Sequence, residues 1–166
     1  MRDKKVLFIT QAAMIAAIYV VLTIVFSAIS FGEVQIRISE ALTILPMFTP
    51  AAVPGLFIGC LIANLMGGAI VLDVVFGSIA TLLGAVGSCL LRKHKYLVPI
   101  PPIVMNALIV PFVLRYGYGV ALPIPLMMLT VGLGEVISCG LLGYALMFVL
   151  NKVKHVIFGS TAIMKN

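Results

Sequence analysis

The chain has 166 residues, 63% of them hydrophobic and only 10% charged, where a soluble domain carries roughly 25% charged residues. That balance excludes an ordinary soluble enzyme and describes an all-α integral membrane protein; at about 20 residues per span plus turns, it allows about six spans and no sizeable soluble domain. The net charge of +6 does not imply nucleic acid, because nine of the eleven basic residues sit in three short flanks.

Those flanks are Arg2, Lys4 and Lys5; Arg92, Lys93 and Lys95; and Lys152, Lys154 and Lys165. This is the distribution of cytoplasmic loops under the positive-inside rule, and such flanks can also touch anionic lipid. The whole chain, 1–166, reads as one transmembrane domain. The first span is expected at about 6–30, entering from a basic cytoplasmic tail. No small-residue cleavage site follows the charged start, so this run reads as a retained helix rather than a signal peptide. Ala12, Ala13, Ala16 and Ala17 form two interleaved small-xxx-small pairs, which let helices approach closely in lipid.

The stretch from Phe31 to Pro54, FGEVQIRISEALTILPMFTPAAVP, breaks the apolar pattern. Gln35, Arg37 and Ser39 alternate with Val34, Ile36 and Ile38, a period of two that predicts an extended outer segment. Ser39 then suits a helix N-cap, with Glu40 in the first turn. The second span, about 39–49, is short and interrupted by Pro46, with Pro50 and Pro54 following at the same spacing. The third is expected at about 51–65, carrying Gly55 and Gly59 in small-xxx-small spacing and Asn64 near its outer end.

Asp73 follows an outer turn at Gly67 and Gly68 and is placed to cap the fourth span, about 74–91. A proline-rich entry, with Tyr96 at the interface, leads to the fifth at about 103–114. Arg115, Tyr116 and Tyr118 form an outer rim, where amphipathic tyrosines suit the headgroup level. The last span, about 123–150, ends in the basic tail, so both termini are expected inside. Irregular backbone at membrane depth survives only when buried in protein or lining a wet cavity, so the prolines of spans two and five point inward.

A few polar residues in this apolar chain could carry chemistry. Glu135, inside LTVGLGEVISCGLLGYAL, has no basic neighbour in sequence. A charge near the bilayer centre costs roughly 2.5–3.5 kcal/mol on insertion scales, and such residues usually face a cavity and a partner. It is either a ligand group or a structural glutamate, protonated or paired with Arg37 or Arg115. Asn106 offers the amide donors and acceptor that suit a heterocycle edge, and also suits a bridge between helices. Asn64, Arg37, Glu40, Asp73 and Tyr116 complete the candidate set, with the pairing of Arg37 and Glu40 as the structural reading of those two. Cys60, Cys89 and Cys139 lie singly in apolar runs and read as packing, so no metal or cofactor site is expected. There is no Walker A motif and no GxSxG, and neither histidine lies within a span, so the chain is not expected to be an enzyme. Uphill movement of a solute would draw on an ion gradient or a partner.

The run FGEVQIRISEALTILPMFTPAAVPGLFIGC, followed by IANLMGG and GSIATLLGA, resembles the QueT family, substrate-capture subunits (S-components) of energy-coupling factor (ECF) transporters. The resemblance covers most of the chain. It implies a six-helix protein in the cell membrane that binds a queuosine precursor: aminomethyl-deazaguanine, its cyano analogue or queuine. It implies docking on an EcfT-like transmembrane coupling subunit and two ATPases, with the stripe Ala12/Ala16 and Ala13/Ala17 on the coupling subunit. Two other readings stay open: a stand-alone ion-coupled transporter of a small polar metabolite, with Glu135 and Asp73 as proton carriers, and a structural subunit without ligand. For a deazaguanine, the residues suggest Glu135 on the two adjacent N–H donors, Tyr116 stacked on the ring, and Glu33, Glu40 or Asp73 on an ammonium.

Overall fold

The computed structural model describes residues 2–30 and 36–157, and all regular structure among them is helical. Helix α1 (Arg2–Val25) runs into a single turn, α2 (Ser27–Ser30). A 3-10 helix (Ile38–Met47) comes next, then α3 (Ala52–Met66), α4 (Val71–Leu90) and α5 (Ile100–Tyr116). The last rod begins as α6 (Ile124–Glu135), passes through a π segment (Val136–Leu142) and ends as α7 (Gly143–Ile157). Each of the six expected spans therefore contains a helix. Three stretches are long and apolar enough to cross a membrane: Lys4–Val25, Val71–Leu90 and Ile124–Val153. The 3-10 helix, α3 and α5 are shorter.

The 3-10 helix is the axis of the bundle. It packs against α1, α3, α4, the π segment and α7, and every residue from Ser39 to Met47 is buried. Its ten residues rise about 2 Å each, so it extends about 20 Å, further than an α-helix of that length. Two local features fit this winding. Pro46 has no N–H to give to an α-helical ladder, and the Thr43 hydroxyl donates to the Glu40 carbonyl at 2.6 Å. In lipid such backbone is tolerated because protein surrounds it on all sides.

The entry to this helix differs from expectation. Arg37, extended at φ −96° and ψ 99°, precedes it, and no side chain caps it. Ser39 lies one residue inside, and its Oγ accepts a 2.7 Å bond from Thr23 of α1 instead. In a buried helix start the hydroxyl is worth more as a tie to the neighbouring helix than as a cap. Of the expected extended segment, 34–39, Arg37 is extended but Ile38 and Ser39 already belong to the 3-10 helix; Gln35, like Glu33, lies outside the described residues.

Around the axis, α1 packs on α3, α3 on α4, α4 on α5, and α5 on α6. The α1–α3 seam is close because Gly55 and Gly59 face Ala12 and Ala16. A Cβ at Gly55 would stand 2.7 Å from the Ala12 carbonyl oxygen, and one at Gly59 would stand 3.1 Å from the Ala16 Cα. The two small-residue stripes read from the sequence thus meet each other. Ala12 and Ala16 belong to an internal seam, whereas Ala13 and Ala17 are exposed. The reason is helical rotation: positions four apart share a face, and the neighbouring pair lies about 100° away.

At the basic end, the Tyr144 hydroxyl donates to the Tyr96 carbonyl at 2.5 Å. This ties α7 to the loop carrying Arg92, Lys93 and Lys95. A continuous apolar core of Tyr19, Ile44, Leu56, Phe48, Val98 and Met147 fills the space around the axis.

Candidate ligand-binding site

Two polar groups of side chains lie inside this apolar bundle. The first is a latch across the C-terminal end of α3 and the N-terminal end of α4. Arg37, leading into the 3-10 helix, donates from Nη2 to Asn64 Oδ1 at 2.7 Å. Asn64 Nδ2 donates in turn to the Asp73 carbonyl at 3.2 Å. The Asp73 carboxylate accepts from the Tyr118 hydroxyl at 3.0 Å. Gly77 makes room for this arrangement, since a Cβ there would stand 2.8 Å from Asp73 Oδ1 and 3.3 Å from Asn64 Nδ2. Tyr118 lies in the loop after α5, outside the spans; its partial burial and the adjacent Asp73 carboxylate hold its phenol above the ordinary value. Asp73 was expected to cap α4. It sits in the first turn instead, where a carboxylate suits the helix dipole, and the cap position is Ile70 without a side-chain bond.

The second group, a nest deeper in the bundle, is built differently. Glu40 is 1% exposed and Glu135 2%. Glu40 Oε1 accepts from the Tyr19 hydroxyl of α1 and, at 3.2 Å, from Thr81 of α4. The Cys139 thiol donates to Glu135 Oε2 at 3.1 Å and lies 3.5 Å from the Glu40 carbonyl oxygen. One donor atom each from Glu40, Glu135 and Cys139 lies within 4.8 Å of the others. Spacing along the chain hides this trio, because Glu40 is 95 or more residues from Glu135 and Cys139. Its carboxylate oxygens could hold a cation, while the thiol acts here as a hydrogen-bond donor.

Several buried atoms of these elements find no partner among the described residues: Glu40 Oε2, Asn106 Nδ2, Ser138 Oγ and Ser78 Oγ. Asn106 of α5 lies close to the Glu135 carboxyl, yet its Nδ2 makes no hydrogen bond of good geometry. Buried polar atoms are rarely left so, since each costs about 1–3 kcal/mol when unsatisfied. The π segment starts immediately after Glu135 and brings Gly143 within 3.8 Å, at Cβ distance, of the Ala41 carbonyl oxygen. Such bulges in α-helices occur frequently at functional sites.

Of the sequence candidates, the structure brings Glu135, Asn106 and Glu40 together. Arg37, Asn64 and Asp73 form the latch beside them. Tyr116 is not part of either group. It is 73% exposed, stacked on Phe112 with ring centroids 6.5 Å apart, in an apolar groove lined by Leu72, Phe76 and Leu108. Residues 112 and 116 share a helix face, and Asn106 and Val113 share the buried one. The aromatic that meets the nest is Tyr19, together with Thr81 and Cys139; none of these stood out in the sequence as a ligand group.

A helical bundle with carboxylates, an amide and hydroxyls converging in its buried interior is a membrane protein of the kind that handles small polar solutes. The profile of the QueT transporter family matches residues 9–152, and the chain belongs to that family. Over 84 residues it is 38% identical to the "Queuosine precursor transporter QueT" of Lactococcus lactis subsp. cremoris (strain MG1363), and the match covers 49% of each chain. The chain thus aligns over about half the length of that curated relative. No solved structure matches it.

Proposed function

We propose that this chain is the substrate-capture subunit of an ECF-type importer and that it binds a queuosine precursor of the 7-deazaguanine type. The observation that carries the reading is the nest, where Glu135, Glu40 and Asn106 converge with polar atoms left unpartnered by the chain. A deazaguanine presents two adjacent N–H donors, and a carboxylate accepts both as it does from the fork of an arginine. Membership of the QueT transporter family supports the substrate class.

Transport in this reading draws its energy from an EcfT-like coupling subunit and two ATPases. Ala13 and Ala17, exposed beside Met14 and Ile18 on α1, are the small-residue surface offered to that partner. In this reading both termini lie on the cytoplasmic side of the cell membrane and the latch toward the outside, which the basic flanks support. The test is uptake of a radiolabelled 7-deazaguanine into vesicles. The chain with the coupling subunit and ATPases accumulates it in the presence of ATP, and the chain alone does not. Accumulation by the chain alone, driven by an ion gradient, would instead establish a secondary transporter.

A further inference from the structure

We infer that the basic turn joining α4 to α5 forms a pocket for the headgroup of an anionic phospholipid. The turn carries Arg92, Lys93, His94 and Lys95 in succession. No acidic residue lies between 74 and 134, so the turn has no carboxylate of its own. The acids whose side chains are described, Glu40, Asp73 and Glu135, are buried in the latch and the nest.

The turn is tied down at both sides. Ser88 Oγ of α4 donates to the Val98 carbonyl at 2.7 Å, which closes it across its base, and Tyr144 of α7 holds the Tyr96 carbonyl. Backbone bonds from His94 to the Leu91 carbonyl at 2.8 Å and from Leu97 to the His94 carbonyl at 2.7 Å wind the chain between those ties. Beneath it α5 is seated closely on α4: a Cβ at Gly84 would stand 2.7 Å from the Pro102 Cα. Held in this way, the turn encloses a cavity of about 430 Å³ with Met47, the last residue of the 3-10 helix.

Depth and polarity together select a lipid. Helix α4 is long and apolar enough to cross a membrane and ends at Leu90, two residues before Arg92. The cations therefore stand where the helix leaves the hydrocarbon, at the level of lipid phosphates. Leu90 and Ile100 are exposed on either side, and Tyr96 and Leu97 are exposed at the cavity itself. Cations beside an amphipathic tyrosine and exposed apolar side chains match the boundary between headgroup and acyl chain. A soluble anion would use the cations alone.

The test is native mass spectrometry of the purified full chain in neutral detergent, titrated with phosphatidylglycerol or with phosphatidylcholine of the same acyl chains. The anionic lipid is expected to bind at least about tenfold tighter. Lys93→Gln/Lys95→Gln changes two exposed side chains and is expected to lower affinity for phosphatidylglycerol by about tenfold or more, each cation being worth about fivefold. Lys4→Gln/Lys5→Gln removes the same charge from the exposed start of α1 and is expected to stay within about threefold of the native chain. Equal binding of the two lipids by the native chain overturns the inference, and is the result expected if the turn seats an acidic protein instead. An equal loss in both double variants also overturns it, since the effect would then be one of net charge. Displacement of the lipid by inorganic phosphate, beyond that by chloride at the same ionic strength, overturns it in favour of a soluble anion. Phosphatidylglycerol with a photoreactive headgroup gives a second readout on the native chain alone. Crosslinks to residues 92–97 are expected, and crosslinks confined to the other basic flanks overturn the inference.

Discussion

The latch and the nest sit side by side in one bundle, drawing on the same 3-10 helix and on α4, and they spend their polar atoms differently. In the latch, Asn64 uses both ends of its amide, on Arg37 and on the Asp73 backbone, and Asp73 closes onto Tyr118. In the nest, Glu40, Asn106 and Ser138 each keep an atom that the chain does not satisfy. A fully satisfied polar network rigidifies a structure, and an unsatisfied one is costly unless something else completes it. The difference teaches which buried polar residues hold the fold and which face the solute. By this criterion Arg37, Asn64 and Asp73, candidates for ligand contact in the sequence, tie the end of α3 to the start of α4. In the proposed function Glu135, Asn106 and Glu40 are the residues that face the ligand.

Substitutions can break this comparison at several points. The largest effect is expected at Glu135. Glu135→Gln keeps the shape but loses the charge and one acceptor, so guanine-type ligands should weaken by about 2 kcal/mol or more, measured by calorimetric titration. Adenine-type ligands should bind poorly to both forms. Asn64→Ala acts on the other side of the comparison. It leaves the buried Arg37 without its 2.7 Å acceptor, and should lower the stability of the ligand-free protein by about 1–3 kcal/mol, read from thermal unfolding in detergent.

Ser138→Ala sharpens the contrast, because its two readouts should move apart. The hydroxyl has no partner in the chain, so its loss should leave the ligand-free protein as stable or slightly more so. Affinity for a 7-deazaguanine should fall by about 1 kcal/mol, one neutral hydrogen bond. A fall in stability without any change in affinity would move Ser138 from the nest to the scaffold.

Tyr118→Phe should have the smallest effect, at most about 1 kcal/mol of stability, since the tyrosine is partly exposed. It also carries a pH signature. Its phenol is held above the ordinary value in the folded state, so the contribution is fully present below about pH 10 and is lost as pH rises through the raised value. The native chain should therefore lose stability in that alkaline window more steeply than Tyr118→Phe does. Unfolding temperatures of both proteins across that range check the sign.

How much of this was legible in the sequence depended on how far each residue stood out from its surroundings. Glu135 and Asn106 were visible because a carboxylate and an amide inside long apolar runs cannot be casual. The break after the first span was visible in Arg37, Glu40 and the prolines at a spacing of four. Its 3-10 winding was not, because periodicity over ten residues does not separate the two helix types, and a buried axis has no polar face to reveal its pitch. Tyr19, Thr81, Ser138 and Cys139 were hidden because hydroxyls and thiols are common in membrane helices and gain meaning only from what they face. Tyr116 stood out but lies apart from both polar groups: an aromatic near a helix end suits a ligand or a membrane surface equally, and the rotation of α5 sets which way it faces. Of the alanine stripes, the Ala12/Ala16 pair packs closely on α3 and the Ala13/Ala17 pair is exposed; which pair meets α3 depends on how α1 is turned, and that is fixed by Gly55 and Gly59 on another helix.

The most direct test of the division between nest and latch is one titration series: a single 7-deazaguanine into Glu135→Gln and Asn64→Ala, both at temperatures where each is folded. The account predicts that Glu135→Gln loses affinity by about 2 kcal/mol or more while Asn64→Ala stays within about 0.5 kcal/mol of the native chain, despite its lower stability. The reverse pattern, with affinity lost at Asn64 and kept at Glu135, would contradict it and place the ligand in the latch.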